Sequence, residues 1–170
     1  MERPSRELLH MMTAVHWSLR SVCKRPGGQV GCVITSGDLR RILSFGYNGP
    51  AKGLDNNYCR NKTGACGCLH AEDNAITFLR DPDQDPILFS TCAPCENCAQ
   101  RIVQAGISKV YFLRPYRDTI GLNVLDQCRV RHEQMQLSAD LNTMVAWLRA
   151  SLTTKTDDPT SDTLRKSLTG

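Results

Sequence analysis

Two short segments that lie far apart in this sequence together carry the donors of one metal site. Residues 70–72 read His-Ala-Glu, and residues 94–98 read Pro-Cys-Glu-Asn-Cys. One imidazole and two thiolates suit zinc, and a site with three protein ligands keeps its fourth tetrahedral position for water, as catalytic zinc sites do. The chain must therefore fold so that residue 70 and residues 95 and 98 reach the same metal ion.

Each residue of this H-x-E and P-C-x-x-C pattern, which is typical of zinc nucleobase deaminases, has a predicted role. His70, Cys95 and Cys98 are the predicted zinc ligands. Glu72 is predicted not to ligate zinc but to move protons from the metal-activated water to the substrate. Pro94 suits the first turn of a helix, so the two cysteines should share one face near its positive end, which favours thiolates.

Other interpretations of these residues remain open from sequence alone. A C-x-x-C segment is also typical of redox pairs and zinc ribbons, and a single helical histidine is commonly a core residue. A structural zinc held by four cysteines is the main competing site, and it would leave residues 70–72 without a function. Its ligands would be Cys66, Cys68, Cys95 and Cys98.

Composition limits the class of protein. A chain of 170 residues with 41% hydrophobic content suits one domain with a substantial core. It has no apolar run of membrane-spanning length and no signal peptide, so we expect a soluble cytoplasmic protein whose nine cysteines are metal ligands and buried thiols. The net charge of +4 suits a phosphorylated substrate, and without an arginine-rich stripe we do not expect nucleic-acid binding.

The order of predicted elements indicates an α/β fold. Periodicity and turn signals predict helices at 5–23, 70–80, 96–105, 119–128 and 140–152, and strands at 29–35, 40–47, 86–91, 109–113 and 130–136. The first two strands form a hairpin, and residues 48–69 form a long loop. We therefore expect a three-layer α/β/α domain over residues 1–150, with a mixed sheet of about five strands and helices on both faces. Residues 151–170 are a polar, flexible tail.

Several segments resemble the deoxycytidylate (dCMP) deaminases of the cytidine deaminase superfamily. They are residues 45–50 (Phe-Gly-Tyr-Asn-Gly-Pro), 70–76 and 94–107, with further matches at 20–25, 29–34 and 116–118. The resemblance implies a cytidine-deaminase-like fold and zinc-dependent hydrolysis of dCMP to dUMP and ammonia. Members of this family are often homo-oligomers, commonly hexamers, and are often regulated by dCTP and dTTP.

The resemblance also implies substrate contacts. Asn48 matches a sugar-binding asparagine, although a turn-forming asparagine would fit as well. Tyr116 matches a phosphate-contacting tyrosine, with a buried aromatic as the alternative. Arg25 and Lys24 could supply positive charge to the phosphate or simply form a solvated basic loop. The base is expected to contact the backbone groups of Ala71, Thr91 and Ala93.

A second zinc is a further expectation from the resemblance. Many bacterial and phage members hold a structural zinc with a cysteine after the first helix, a cysteine in the following loop and two residues, often histidines, of a long insert. That insert is nearly gone here. The replacements would be Cys23, Cys59, Cys66 and Cys68, which could instead be ordinary reduced thiols. The three remaining cysteines outside the catalytic motif are predicted small core residues, namely Cys32, Cys92 and Cys128.

Other functions are compatible with the same motifs. One is deamination of a modified dCMP or of a base in single-stranded nucleic acid. Another is a zinc-stabilised binding module without catalysis, which the presence of Glu72 argues against.

Overall fold

A five-stranded sheet forms the centre of the computed structural model, which describes residues 3–80 and 85–137. The strands are β1 (Gly31–Thr35), β2 (Ile42–Tyr47), β3 (Ile87–Cys92), β4 (Lys109–Arg114) and β5 (Arg131–Gln134). The helices are α1 (Arg6–Ser18), α2 (Ala71–Thr77), α3 (Glu96–Gln104) and α4 (Ile120–Gln127), and a short 3-10 helix spans Asn56–Tyr58. The predicted mixed α/β fold is confirmed.

The order of the strands in the sheet is β2-β1-β3-β4-β5. Strand β1 is antiparallel to both β2 and β3, so the predicted hairpin is confirmed. Strands β3, β4 and β5 are parallel, and α3 and α4 supply the crossovers that parallel neighbours require. The carboxyl end of β3 therefore leads directly to residues 94–98, at the edge where open sheets of this type bind ligands.

Helices cover both faces of the sheet. A Cβ at Gly31 would collide with Ala14 of α1, and one at Gly46 would collide with Ala71 of α2. Gly46 pairs with Cys32, the neighbour of Gly31, and neighbouring residues of a strand point to opposite faces. Helices α1 and α2 therefore lie on opposite faces, and the main core forms on the α2 side with α3 and α4.

The first helix is shorter than predicted. It ends at Ser18 instead of residue 23, because the last apolar positions of the pattern do not reach the core. Leu19 is 77% exposed and Val22 is only half-buried, whereas Cys23 is buried among other cysteines. The apolar spacing of residues 19–23 thus reflects a turn towards a cysteine cluster and not a further helical turn.

These elements belong to one compact unit, residues 5–136. The predicted helix at 140–152 and the polar tail at 151–170 lie outside the described residues, so the predicted boundary at residue 150 stays a prediction. None of the helices in the described part of the chain has the length and apolar character needed to cross a bilayer.

Gly46 permits the close approach of α2 to β2, so its replacement tests this packing. A Cβ there would collide with the Ala71 carbonyl oxygen and lie 2.5 Å from the Ala75 nitrogen. We expect Gly46→Ala to lower the free energy of unfolding by about 1–3 kcal/mol, since the helix must move away from the strand. Gly49→Ala is the matched control, because a Cβ at Gly49 meets nothing within 4 Å. Equal melting temperatures for the two variants would contradict the packing.

Candidate active site and cysteine cluster

The structure brings the three predicted ligands of the first metal site together. His70 is the N-cap of α2, Cys95 is the N-cap of α3, and Cys98 lies in the first turn of α3. The His70 Nδ1 atom lies 3.3 Å from Cys98 Sγ and 3.5 Å from Cys95 Sγ. All three donor atoms lie within 4.8 Å of one another, so they can hold one metal ion.

The distances in this cluster fit zinc. With Zn–S bonds of about 2.3 Å and Zn–N bonds of about 2.0 Å, tetrahedral angles separate ligand atoms by about 3.6 Å. The observed N–S distances of 3.3 and 3.5 Å are close to that value. Helix α3 begins at Glu96, as predicted, but Pro94 precedes the helix and does not lie in its first turn, because the backbone of Cys95 is still extended. Cys95 and Cys98 nevertheless lie at the positive end of the helix, where a thiolate is stabilised.

Proton sharing prepares the cluster for a cation. The hydrogen bond from Cys98 lowers the pKa of Cys95 to about 4, while the bond to Cys95 raises the pKa of Cys98 well above its ordinary value. The hydrogen bond to Cys95 also raises the pKa of His70 to about 9. Without metal, protons on His70 and Cys98 thus compensate the Cys95 thiolate. Metal binding releases such protons, so this donor set is chemically suited to a divalent ion.

Glu72 lies beside the cluster and is buried. Its Oε1 accepts a hydrogen bond from Ser90 Oγ at 3.4 Å, and its Oε2 lies 3.7 Å from Cys98 Sγ. Burial raises the pKa of Glu72 to about 7, the range in which a carboxyl group both takes and gives protons near neutral pH. Sequence reasoning missed Ser90, whose only signal is its position as one of two polar residues in β3, the other being Thr91.

A narrow cavity next to this cluster collects most of the predicted substrate contacts. Its wall contains His70, Glu72 and Cys95 together with Arg25, Val30, Asn48, Ala71, Cys92, Ala93 and Tyr116. Two predicted contacts do not reach the wall. The Thr91 hydroxyl accepts a hydrogen bond from the Gly31 amide at 3.2 Å, and the Lys24 ammonium donates to Asn57 Oδ1 at 3.1 Å.

Asn48 has a structural function in addition to its place in the cavity wall. Its Oδ1 accepts from the Val30 amide, and its Nδ2 donates to the Gly28 carbonyl, both at 2.7 Å. The side chain thereby ties the end of β2 to the segment that leads into β1. A side-chain amide has four hydrogen-bonding positions, so one N–H and one lone pair of Asn48 remain for a ligand.

The carboxyl end of β3 lines the cavity with Ala93, as predicted, and with Cys92 in place of Thr91. The Ala93 amide donates to the Arg114 carbonyl at 2.9 Å, so Ala93 has its carbonyl available for a base. Cys92, predicted as a core residue, lines the cavity, and burial raises the pKa of its thiol. Cys32 is fully buried as predicted. Cys128 is exposed, contrary to prediction, because it caps the end of α4 beyond the last buried turn.

A wider cavity of about 500 Å³ adjoins the narrow one. The two share Arg25, His70, Cys95 and Tyr116 in their walls. Two further arginines, Arg60 and Arg117, border the wider cavity. The Arg117 guanidinium carbon lies 5.1 Å from the centroid of the Tyr116 ring. Tyr116 and Arg25 thus lie where the two spaces meet. The surrounding wall has three arginines and two carboxylates, Glu96 and Asp118, and Asp118 pairs with Arg117, so Arg25 and Arg60 are the cations left for an anionic group.

Four other cysteines form a second cluster, as the second-zinc prediction requires. The sulfur atoms of Cys23, Cys59, Cys66 and Cys68 all lie within 4.8 Å of one another. Cys23 and Cys59 are 3.9 Å apart, close to the roughly 3.8 Å that a tetrahedral zinc–thiolate site requires. The structure therefore separates Cys66 and Cys68 from the first cluster, which argues against the competing four-cysteine site of the sequence analysis.

Local backbone geometry supports the second cluster. Gly67 has a φ of +84°, a left-handed conformation that turns the chain between Cys66 and Cys68 so that both face the same point. The Lys24 amide donates to Cys59 Sγ at 3.5 Å, and this bond, with another from the Asn61 amide, lowers the pKa of Cys59 to about 7. Backbone amides directed at thiolates are a favourable setting for a metal.

Comparison with known proteins agrees with this geometry. The sequence model described as the cytidine and deoxycytidylate deaminase zinc-binding region matches residues 4–114. A probable deoxycytidylate deaminase of Caenorhabditis elegans is 39% identical, over 69% of this chain and 64% of that protein. The deoxycytidylate deaminase of Saccharomyces cerevisiae is 32% identical, over 81% of this chain and 47% of that protein. The chain thus spans less than two thirds of these relatives' length.

Solved structures show the same architecture. The dCMP deaminase from the cyanophage S-TIM5, solved in complex with dCMP and dUMP, superimposes with a TM-score of 0.70 at 35% identity. The match covers 79% of this chain and all of that one. Acinetobacter baumannii RibD, at 22% identity and a TM-score of 0.59, shares the fold. With its motifs, its metal-binding geometry and these matches, the chain belongs to the cytidine and deoxycytidylate deaminase family of zinc-binding proteins.

Proposed function

We propose that this protein is a zinc-dependent hydrolase that converts dCMP to dUMP and ammonia in the cytoplasm, supplying dUMP for thymidylate synthesis. The observation that carries the proposal is the position of buried Glu72 beside the His70, Cys95 and Cys98 cluster, in a cavity with Arg25 and Tyr116 in its wall. The similarity to a deaminase solved with dCMP and dUMP supports the choice of substrate.

The protein's own residues hold the metal and move the protons. His70, Cys95 and Cys98 would hold the zinc ion, which would supply a water molecule of lowered pKa as the nucleophile. Glu72 takes a proton from that water, passes it to the ring nitrogen, and assists transfer of the next one to the departing amine. One water is consumed and one ammonia leaves, so the reaction needs no other reactant. Ser90 holds the Glu72 carboxylate in place.

Substrate recognition uses the rest of the cavity wall. The free N–H and lone pair of Asn48 bind the sugar hydroxyl. The amide of Ala71, which opens α2 and therefore has no acceptor within the helix, donates to the ring carbonyl. Arg25 and Tyr116 bind the 5′-phosphate, for which the planar guanidinium is well suited. Neither Lys24 nor Thr91 has a part in this scheme, since neither residue borders the two cavities.

A second zinc bound by Cys23, Cys59, Cys66 and Cys68 stabilises the loop between β2 and α2. Residues 49–69 contain one short 3-10 helix and contribute few apolar residues to the main core. A structural zinc supplies folding free energy that such a loop otherwise lacks.

Self-association is a further part of the proposal. The edge strand β2 and its surroundings expose several large apolar side chains, namely Leu19, Ile42, Phe45, Leu54 and Phe78. Exposed apolar patches of this kind mark interaction surfaces. This supports a homo-oligomer, with a hexamer and the effectors dCTP and dTTP as the expectation from family resemblance. The proposed deaminase domain covers residues 1–150, and the tail covers residues 151–170.

A substrate panel tests the reaction. The purified protein is incubated with dCMP, CMP, dCTP, deoxycytidine, 5-methyl-dCMP and a cytosine oligonucleotide, and ammonia release is measured. We expect the highest kcat/KM with dCMP, because Arg25 and Tyr116 bind a single phosphate beside the cavity. A preference for deoxycytidine would contradict the assignment of Arg25 and Tyr116 to phosphate binding. A preference for 5-methyl-dCMP or the oligonucleotide would show that dCMP is not the main substrate.

The roles of Glu72 and His70 are separable by metal analysis. Glu72→Ala should lower kcat by about 10²–10⁴-fold, the usual contribution of a general acid–base group, while retaining the zinc held by the first cluster. His70→Ala should lose both that zinc and activity, because two thiolates alone remain. Loss of this zinc from the Glu72→Ala protein would make Glu72 a ligand.

Zinc content and thermal stability test the second metal. Reduced, metal-replete wild-type protein should contain two zinc ions per chain, and Cys59→Ser should contain one and melt at a markedly lower temperature. Cys128→Ser is the matched control, because this cysteine is exposed and belongs to neither cluster. A single zinc per wild-type chain would show that the four cysteines are free thiols.

A further inference from the structure

Arg25 lies between the candidate active site and the four-cysteine cluster. Its side chain lines both the narrow and the wide cavity next to His70. On its other side Arg25 lies next to the cluster: a Cβ at Gly28 would lie 2.8 Å from Cys23 Sγ and 2.9 Å from Arg25 Cβ, and Arg25 borders the wider cavity together with Cys66. One cation therefore lies between the space assigned to the phosphate and the second metal site.

The Arg25 side chain still has donors available for an anion. Its Nε is buried without a hydrogen-bond partner in the described part of the chain. Within residues 3–80 and 85–137, the ion pairs found do not include a carboxylate bound to Arg25. A guanidinium carries five N–H donors, and a buried donor without a partner is costly. The free donors of Arg25 thus suit a phosphate.

The backbone around Arg25 is attached to the same cluster. The amide of Lys24 donates to Cys59 Sγ at 3.5 Å, and Gln29 Nε2 donates to the Cys23 carbonyl at 3.1 Å. The Gly28 amide closes a turn onto the Arg25 carbonyl at 2.8 Å. Hydrogen bonds therefore hold residues 23–29 against Cys23 and Cys59, and the backbone of Arg25 starts next to the cluster.

We propose that the four-cysteine cluster, with zinc bound, positions Arg25 for the substrate's phosphate and so sets phosphate affinity without taking part in deamination. This inference rests on the proposed function, in which Arg25 binds the phosphate. Four thiolates carry more negative charge than one zinc ion neutralises, so the occupied cluster attracts the guanidinium. A side chain fixed in advance loses less conformational entropy when the ligand binds. Cys23 is accordingly a positioning residue as well as a ligand of the second metal, since its effect on the phosphate is exerted through Arg25.

A double-mutant cycle distinguishes positioning from general support of the fold. The variants are Cys59→Ser, Arg25→Gln and the double variant, with Cys128→Ser as the control for loss of a cysteine. Cys59 is the appropriate ligand to remove because it lies in neither cavity wall. Titration calorimetry gives the Kd for the product dUMP and for deoxyuridine, which lacks the phosphate. Metal analysis accompanies each protein, and kcat and KM are measured with dCMP.

Positioning predicts a specific pattern. Arg25→Gln and Cys59→Ser should each weaken dUMP binding by about tenfold and raise the KM for dCMP, with kcat and deoxyuridine binding within about twofold of wild type. The double variant should bind dUMP no more than about twofold more weakly than Arg25→Gln alone. Such non-additivity indicates that both changes remove the same interaction.

Other patterns overturn the proposal. Equal weakening of dUMP and deoxyuridine in Cys59→Ser would mean that the cluster only supports the fold. Multiplicative effects in the double variant, or unchanged dUMP affinity after loss of the metal, would show that Arg25 is independent of the cluster. A wild-type protein that binds dUMP no better than deoxyuridine would contradict the proposed phosphate recognition itself, which is a different failure.

A spectroscopic measurement covers the case in which Cys59→Ser does not fold. Cobalt(II) bound to the four cysteines of His70→Ala protein reports on the cluster through its thiolate charge-transfer bands. Addition of dUMP should shift these bands when Arg25 is present and should leave them unchanged in His70→Ala, Arg25→Gln protein. Deoxyuridine should cause no shift in either. Bands that do not respond to dUMP in the presence of Arg25 would overturn the coupling.

Discussion

The contact between the starts of two helices is the interaction on which the rest of this structure depends. Helix α2 begins after His70 and α3 begins after Cys95, and the two ends meet at the carboxyl end of β3. The contact exists because α2 packs closely on Gly46 of β2, while the parallel pair of β3 and β4 requires α3 to cross between them. A metal bound here would join two segments that the core already holds next to each other.

The nine cysteines fall into three groups. Two belong to the histidine-containing cluster and four to the all-cysteine cluster, and the other three are a core residue, a cavity-wall residue and an exposed helix cap. The two clusters differ in what surrounds them. A buried carboxylate with a pKa raised towards neutrality adjoins the first, whereas backbone amides and Arg25 adjoin the second. That difference is what assigns chemistry to one and support to the other.

Sequence predicted the parts of this protein that depend on local pattern. The ligand motifs, the order of strands and helices and the grouping of Cys23 with Cys59, Cys66 and Cys68 all follow from spacing, periodicity and resemblance. Contacts between residues that are distant in sequence and meet only in the folded chain were not predictable in this way. Asn48 bonds to Gly28 and Val30 only because β2 lies beside β1, and Ser90 reaches Glu72 only because the fold brings the first turn of α2 close to β3.

The same limit explains where expectations about single residues fell short. Thr91 lies outside the cavity wall, whereas Cys92 is buried as predicted but also borders the cavity, and alternation along β3 gives neighbouring side chains these different environments. The end of a helix decides whether Cys128 is covered, and helix ends are poorly determined by periodicity. In both cases the residue type suited either position, so only the register of the folded chain could distinguish them.

Anomalous diffraction at the zinc absorption edge, from crystals of the wild-type protein, tests the central claim most directly. Our account predicts a zinc ion bonded to His70 Nδ1, Cys95 Sγ and Cys98 Sγ, with the Glu72 carboxylate close by but outside bonding distance. A zinc ion bonded to Glu72 as a fourth protein ligand would contradict the account. So would a fully metal-loaded crystal with no anomalous peak between these three residues.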